Sequence, residues 1–348
     1  MAVPLPSLDQ PALLVLLADG RLRSGEWLAK ELRVSRAAVW KGVKRLRALG
    51  VDVEALPRRG YRLPDAVEML EPPRIYAELS PEHEARVREF ELLFEVDSTN
   101  TRLLNKSPPP AGRADVCMGE LQHAGRGRRG RRWVAPFGAG IALSVAWTFM
   151  DGARTLPALS LAVGVAVWRA LVRAGARGVA LKWPNDIWFD DRKIGGVLIE
   201  LRAEVSGPAH VVIGIGINLH QQHFPPNLAT EPTSLDLETG RHTSRQGLAI
   251  AVLQQLHTEI SAIPGSFPAI PVRIAAISTW VQGKKVEVHG PQPCTGITEG
   301  LDLRGFLRVR TEKGVVTITT GGIRAASELS EKSAHAAIST NPANPLTR

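Results

Sequence analysis

Residues 122–133 read Gln-His-Ala-Gly-Arg-Gly-Arg-Arg-Gly-Arg-Arg-Trp, five arginines among three glycines. Nothing in that run has a helical or a strand period, so the chain must leave regular structure there. Glycine lets backbone turn tightly and approach a ligand. Arg126, Arg128 and Arg129 carry planar forks suited to phosphate or carboxylate oxygens. The segment formally contains the glycine spacing of a dinucleotide-binding turn, but that turn must open a packed helix, and no helical pattern follows Gly130. It also lacks the Gly-Lys-Ser/Thr ending of a Walker A loop. It reads as an anion-binding loop between two elements.

The 348 residues are 44% hydrophobic, enough for two or three domains with cores of their own. An excess of 43 Lys and Arg over 34 Asp and Glu leaves a net charge of +9, which points to a polyanionic partner. Cys117 and Cys294 stand far apart without metal-type or CxxC spacing, which argues against a disulfide framework or a zinc site and for a reducing, cytoplasmic setting. Met1 to Gln10 lacks a basic region followed by an apolar one, so a secretory signal is not expected and the mature chain is expected to begin near Met1. Leu156 to Val172 is the longest apolar segment, but Pro157, Ser160, Gly164 and Arg169 interrupt it, and it is expected as a buried helix.

Three short helices and a hairpin are expected from Leu8 to Leu63. Leu13, Leu14, Leu16 and Leu17 fill the first helix, and Trp27, Leu28 and Leu32 the second. Ser35 is a good N-cap for the third, where Val39, Val43 and Leu46 make one apolar face. Arg36, Trp40, Lys41, Lys44 and Arg47 are left for an exposed basic surface. Helices two and three have the spacing of a helix-turn-helix, with Arg58 and Arg59 in the following basic turn placed to meet flanking phosphates. Gly42 inside the supposed recognition helix, at about 1 kcal/mol, and Trp40 where a polar base-reader would be expected, depart from that pattern.

Pro64 to Pro73, with three prolines and three acids, suggests a linker. Strands are then expected at Leu92–Glu95, Val116–Glu120, Ile141–Trp147, Val179–Trp183, Lys193–Leu201 and His210–Asn218. Helices are expected at Thr99–Ser107, Thr155–Ala174 and Arg245–Ile260, giving a mixed sheet. Beyond Ile277 come short β-rich runs punctuated by glycine, expected as a small barrel. A Ser/Ala/Asn/Pro-rich tail follows Glu328 and is too poor in apolar residues to fold.

Two further clusters carry chemistry. Lys182-Trp183-Pro184-Asn185-Asp186, followed by Arg192-Lys193-Ile194-Gly195-Gly196, puts two lysines and a carboxylate near one hairpin, a set able to neutralise phosphate and hold magnesium. Asp97-Ser98-Thr99-Asn100 puts hydroxyls and an amide at a strand-to-helix junction, able to cap the helix or grip a polar ligand.

In this order the three motifs resemble the biotin protein ligase family, and the N-terminal region resembles its bifunctional bacterial branch, the biotin operon repressors. The resemblance spans roughly Leu8 to Ser327. Lipoate ligases share the core fold and lack the arginine-glycine loop. The resemblance implies an α+β chain in five parts. These are a winged helix-turn-helix over 1–64, a linker over 65–74, a mixed-sheet α/β catalytic domain of the biotin/lipoate ligase type over 75–276, an SH3-like β-barrel over 277–328, and a disordered tail over 329–348.

It further implies that biotin and ATP give biotinyl-5′-adenylate, from which a lysine of the carboxyl-carrier subunit of acetyl-CoA carboxylase takes the acyl group. Ser98, Thr99, Asn100 and Gln122 would meet the biotin rings. Arg126, Gly127 and Arg128 would close over biotin and adenylate, with Gly195 and Gly196 beside them. Lys193 would contact the reacting carboxylate and phosphate, and Lys182 and Arg128 would share the catalytic charge. Asn185, Asp186 and Asn218 are candidates for phosphate or Mg2+, Asp186 foremost for the metal. Ser35, Arg36, Trp40, Lys41, Lys44, Arg47, Arg58 and Arg59 would meet operator DNA, bound by a homodimer of the adenylate-loaded chain. A biotin sensor without transferase activity and a lipoate-type acyl ligase are the competing readings. The charged trio Arg128, Lys182 and Lys193 weighs against the first and the arginine loop against the second.

Overall fold

The computed structural model describes residues 10–150, 152, 158–203, 207–226, 228, 230–263 and 265–326. The tail expected after Glu328, the chain start and the first residues of the helix expected from Thr155 lie outside them.

The N-terminal unit has helices α1 (Gln10–Leu17), α2 (Gly25–Glu31) and α3 (Arg36–Ala48), then a hairpin of β1 (Glu54–Leu56) and β2 (Gly60–Arg62). Serine caps start the second and third helices: Ser24 Oγ accepts from Trp27 N at 3.0 Å and Ser35 Oγ from Ala38 N at 3.1 Å. Between them Arg33 adopts φ 54°, which turns the chain sharply. Val39, Gly42, Val43 and Leu46 form the buried stripe of α3. Gly42 therefore lies on the core side of the helix, not on the surface offered to a partner. The hairpin is tied to α2 through paired backbone bonds of Arg23 and Tyr61, each 2.9 Å.

Residues 67–71, within the stretch expected as a linker, are bound on both sides. Val67 N donates to Ala18 O at 2.7 Å, and Leu70 N to Glu120 Oε1 at 2.7 Å. Glu120 is in turn paired with Arg245 at 2.8 Å, both side chains almost wholly buried. Arg245 Nη1 and Nε also donate to the carbonyls of Glu68 and Gly140, so this buried cation is held by several acceptors. Two short helices absent from the expectation follow, α4 (Pro72–Glu78) and α5 (Pro81–Arg86), each opened by proline.

The central sheet contains β3 (Val87–Val96), β4 (Ala114–Gln122), β5 (Gly140–Phe149), β6 (Val179–Lys182), β7 (Asp186–Phe189), β8 (Arg192–Ala203) and β9 (Ala209–Asn218). Their order is β3-β4-β5-β9-β8-β7-β6. Only the β3–β4 pair is parallel, joined through α6 (Thr99–Leu104), so the sheet is mixed as expected. Helix α7 (Leu159–Arg173) is buried along most of its length. Further helices are α8 (Leu235–Thr239), α9 (Arg245–Ser261) and α10 (Ile270–Ala275).

The C-terminal unit has β10 (Gln282–His289), β11 (Cys294–Leu301), β12 (Leu307–Thr311), β13 (Gly314–Ile318) and β14 (Gly322–Ala325), all antiparallel, in the order β13-β12-β11-β10-β14. No pairing among the described residues joins the outer strands, so the sheet does not close on itself. Its inward residues Val286, Val288, Leu307, Val309 and Ile318 belong to one continuous core with Trp280 and α7.

Candidate active site and nucleic-acid interface

The C-terminal end of β4 and the N-terminus of α6 meet in a buried polar network. Gln122 Oε1 accepts from Thr99 N at 2.9 Å and from Thr99 Oγ1 at 3.2 Å. Ser144, beneath them on β5, lies 2.7 Å from Thr99 Oγ1 and 2.5 Å from Asn100 Oδ1. Asn100 Nδ2 donates to Glu200 Oε2 on β8 at 2.9 Å. Ser98, Thr99, Asn100 and Gln122 are all buried, a placement that requires such partners. Ser98 occupies the N-cap position of α6, yet its hydroxyl makes no cap bond; Gln122 satisfies the Thr99 amide instead.

Two glycines of β9 explain how polar side chains lie so close to a sheet. A Cβ on Gly214 would overlap the Asn100 carboxamide, and one on Gly216 would come within 2.5 Å of the Trp133 indole. The Gly214-Ile-Gly216 alternation, which could have been plain core, clears one face of the strand for both groups.

The arginine loop leaves β4 and folds back on itself. Trp133 N donates to Gly125 O at 2.8 Å and Gly127 N to Arg131 O at 2.7 Å, and the turn is made by Arg129 (φ 58°) and Gly130 (φ 71°). Arg128 points inward, where Nη1 donates to Asn185 Oδ1 at 2.8 Å, and Asn185 Nδ2 donates to Val197 O at 2.8 Å. Burial lowers the Arg128 pKa, reinforced by Arg129 and Arg131 and opposed by Asp186, but guanidinium starts so basic that it stays charged. Arg126 pairs with Glu200 Oε1 at 2.7 Å. Arg129 reaches the C-terminal sheet, where a Cβ on Gly290 would stand 2.9 Å from its Nη2.

On the opposite wall Lys193 Nζ donates to Asp186 Oδ1 at 2.7 Å, across the β7–β8 pair. Gly196 leaves open the space beside both groups, its missing Cβ 3.5 Å from each. Lys182 is buried, with its ammonium 3.7 Å from the centre of the Trp188 ring and 3.8 Å from that of Trp280. This contact with two indole faces is a cation–π arrangement that the motif alone did not suggest. Asn218 Nδ2 donates to Thr233 O at 3.0 Å.

These groups line one cleft of about 510 Å3. Ser98, Thr99, Asn100, Gln122, Arg126, Gly127, Arg128, Lys182, Asn185, Asp186, Lys193, Gly196 and Asn218 all border it. Gly195 does not: it packs on the Gly216 carbonyl underneath. The C-terminal sheet adds His289, Gly321, Gly322, Ile323 and Arg324, none anticipated from sequence. One end of the cleft is amide and hydroxyl on an apolar floor, and the other is cationic. Such a site suits a ligand with a neutral polar head and an anionic tail, and it can gather the negative charges of a carboxylate and a polyphosphate.

The N-terminal surface residues are distributed as expected. Ser35, Arg36, Trp40, Lys41, Lys44, Arg47, Arg58 and Arg59 are all exposed. Lys44 Nζ sits 5.6 Å from the Trp40 ring centre, so the indole shields part of the ammonium on this surface. Arg47 Nε is engaged by Val53 O at 2.6 Å, which ties α3 to the strand that follows. Arg58 has φ 63° at the tip of the hairpin.

Residues 93–218 match the biotin/lipoate A/B protein ligase family, and residues 11–62 match a helix-turn-helix domain. The chain is 35% identical over 312 residues to the bifunctional ligase/repressor BirA of Salmonella typhimurium, covering 89% of this chain and 95% of that protein. It is 34% identical over 239 residues to BirA of Bacillus subtilis, covering 68% and 73%. Among solved structures it resembles the biotin protein ligase from Aquifex aeolicus in complex with biotin and ATP, at a TM-score of 0.59 and 28% identity over 68% of this chain and 98% of that one. No helix among the described residues is long and apolar enough to cross a membrane.

Proposed function

Because the chain belongs to the biotin protein ligase family, and carries the helix-turn-helix domain of its ligase/repressor branch, we propose that it activates biotin with ATP and acts as a transcriptional repressor. A biotin carboxylate oxygen attacks the α-phosphorus of ATP, the α–β bridging bond breaks, and pyrophosphate leaves. A lysine amine of a carboxyl-carrier domain then attacks the acyl carbon, loses a proton and expels AMP. The observation that carries this reading is the two-ended cleft, with its buried amide network at one end and Arg128 and Lys193 at the other.

In this reading Thr99, Asn100 and Gln122 hold the biotin ring system, with Ser98 beside them. Lys193 meets the carboxylate and α-phosphate, where fixed positive charge offsets the approach of two anions. Arg126, Gly127 and Arg128 close over the adenylate and keep the mixed anhydride from water. Lys182 contributes its charge from between two indoles, and Gly196 lets the substrate pass close to β8, whereas Gly195, turned to the Gly216 carbonyl, supports the strand from below. The lining by Arg324 and His289 supports a contribution of the C-terminal sheet to the same cleft.

Mg2+ fits this donor set. Asp186 spends Oδ1 on Lys193, and its other oxygen carries no hydrogen bond among the described residues. One carboxylate together with substrate phosphate oxygens is the arrangement that this ion favours. When bound, the ion would neutralise phosphate charge. Asn218 is a second candidate, whereas Asn185 has both ends engaged and acts through Arg128.

The five-stranded C-terminal sheet is read as the SH3-like domain, supported by its antiparallel order. The domain limits proposed with it are 1–64, 75–276 and 277–328, with 329–348 as a tail and 65–74 as the connecting stretch, the end of which already opens α4 at Pro72. The exposed basic surface of α3 and the hairpin supports binding to operator DNA, and a two-fold operator calls for a homodimer. The carrier is the biotin carboxyl-carrier subunit of acetyl-CoA carboxylase, and the setting is the cytoplasm.

The test is to incubate purified protein with ATP, Mg2+, labelled biotin and a carboxyl-carrier domain, and to follow label in the carrier. Labelling that Lys193→Ala abolishes supports the ligase. Biotin bound without any labelling would favour a sensor that only regulates, and labelling by lipoate instead would favour a lipoate-type ligase.

A further inference from the structure

Behind the cleft, between its lining residues Asn218 and Gln221, lies a group that the proposed reaction does not use. His220 Nδ1 stands 2.7 Å from Asp236 Oδ2, and His242 Nδ1 stands 3.2 Å from the same oxygen. The two imidazole rings are stacked, with centroids 4.3 Å apart and planes 17° from parallel. One ligand atom from each of the three residues lies within 4.8 Å of the others.

We propose that His220, Asp236 and His242 form a binding site for a divalent first-row transition cation such as Zn2+, joining the chain behind the cleft floor to α8. Two imidazoles and one carboxylate are the donors such ions take, whereas Mg2+ prefers an all-oxygen shell. The stack favours this chemistry, because two imidazolium rings face to face would repel, while neutral rings each keep a lone pair for a metal. The separations are also suitable. Two ligands each about 2.0–2.1 Å from a tetrahedral cation lie roughly 3.3 Å apart. The His242–Asp236 separation of 3.2 Å matches this already, and the His220–Asp236 hydrogen bond of 2.7 Å would open by about half an ångström as the metal replaces its proton.

The surroundings hold the donors in place and leave an entry. Asp236 Oδ1 accepts from Thr243 N at 3.1 Å, which orients the carboxylate as an outer-shell bond would. His220 Nε2 is shielded and makes no hydrogen bond among the described residues, so the Nδ1 side carries that ring's polar contact. His220 and Asp236 are 16% and 10% exposed and His242 is 69% exposed, so the cation would enter past His242 and keep water or a fourth ligand on that side.

The experiment uses the full chain without an affinity tag, stripped with a chelator and titrated with Zn2+ against a chromophoric competitor. One tight site per chain is expected, unaffected by excess Mg2+, with at least a tenfold loss of affinity in H242A and in D236N. The control H83A, which removes a ring from the separate His83–His257 pair, should leave it unchanged. Co2+ should give visible absorption in the wild type and lose it in H242A. Because His242 is exposed, H242A should keep the metal-free melting temperature and circular dichroism of the wild type. Zn2+ affinity equal in H242A and wild type, or absence of a tight site in the wild type, would overturn the proposal.

Discussion

The two walls of the cleft are built on different principles. The amide end is buried and cross-linked: Thr99, Asn100 and Gln122 bond to one another, to Ser144 and to Glu200, against strand glycines that admit no other packing. The arginine loop is exposed over much of its length, with Arg128 turned inward onto Asn185 and the half-exposed Arg126 paired with Glu200. Rigid polar pockets discriminate among ligands, because a mismatched one leaves buried groups unpaired. A loosely held cationic loop can close after the ligand arrives. In the proposed reaction, selection of the ring would fall to the rigid wall and retention of the activated acid to the loop.

The largest effects should come from the cationic wall. Lys193→Ala should lower adenylate formation by about 10²–10³-fold, the usual loss when one fixed group facing developing charge is removed; ATP–pyrophosphate exchange measures it. Arg128→Gly should let the adenylate escape and label bystander lysines on added proteins. If Arg128→Gly retains its adenylate, the loop does not divide the labour in this way.

The amide wall should respond differently. Gly214→Ala puts a methyl onto the Asn100 carboxamide, which Ser144 and Glu200 prevent from stepping aside. Overpacking of this kind costs about 1–3 kcal/mol, so biotin should bind roughly ten- to hundredfold more weakly while ATP affinity measured alone stays unchanged. Equal losses for both ligands would show that the walls are not independent. Asn185→Ala removes the hydrogen-bond partner of Arg128 and should raise adenylate leakage severalfold, a milder form of the Arg128→Gly phenotype.

The parts legible in the sequence were those whose signal is local. The cap at Ser35, the apolar stripe of α3, the cluster around Lys182 and Lys193 and the turn at Ser98 each act within a few residues of themselves. Short elements escaped: α4 and α5 have one turn or two of helix behind a proline, and β7 and β14 have four residues each, too few for a period to emerge. Also hidden were partners brought together by the sheet. Ser144 and Glu200 meet Asn100 across 44 and 100 residues of chain, and Trp280 reaches Lys182 from the opening of the C-terminal unit. Glycines at alternate positions of β9 were the one sequence trace of that geometry, a bare strand face that only a close neighbour explains.

The smallest expected effect is the most discriminating, because Glu200 touches both walls. One oxygen accepts from Asn100 Nδ2 at 2.9 Å and the other pairs with Arg126 at 2.7 Å. In Glu200→Gln only one carbonyl oxygen remains, so one of the two donors must face an amide NH2. Asn100 is buried and loses most by going unpaired, whereas Arg126 is 47% exposed and has water available. The glutamine should therefore turn its oxygen to Asn100 and release Arg126. An exposed ion pair contributes about 0–1 kcal/mol, so biotin affinity should change by less than about threefold, while adenylate dissociation rises by a similar small factor. Stopped-flow measurement of the two separates the cases. A loss confined to biotin binding would mean that the carboxylate serves the amide wall alone, and that the loop is held without it.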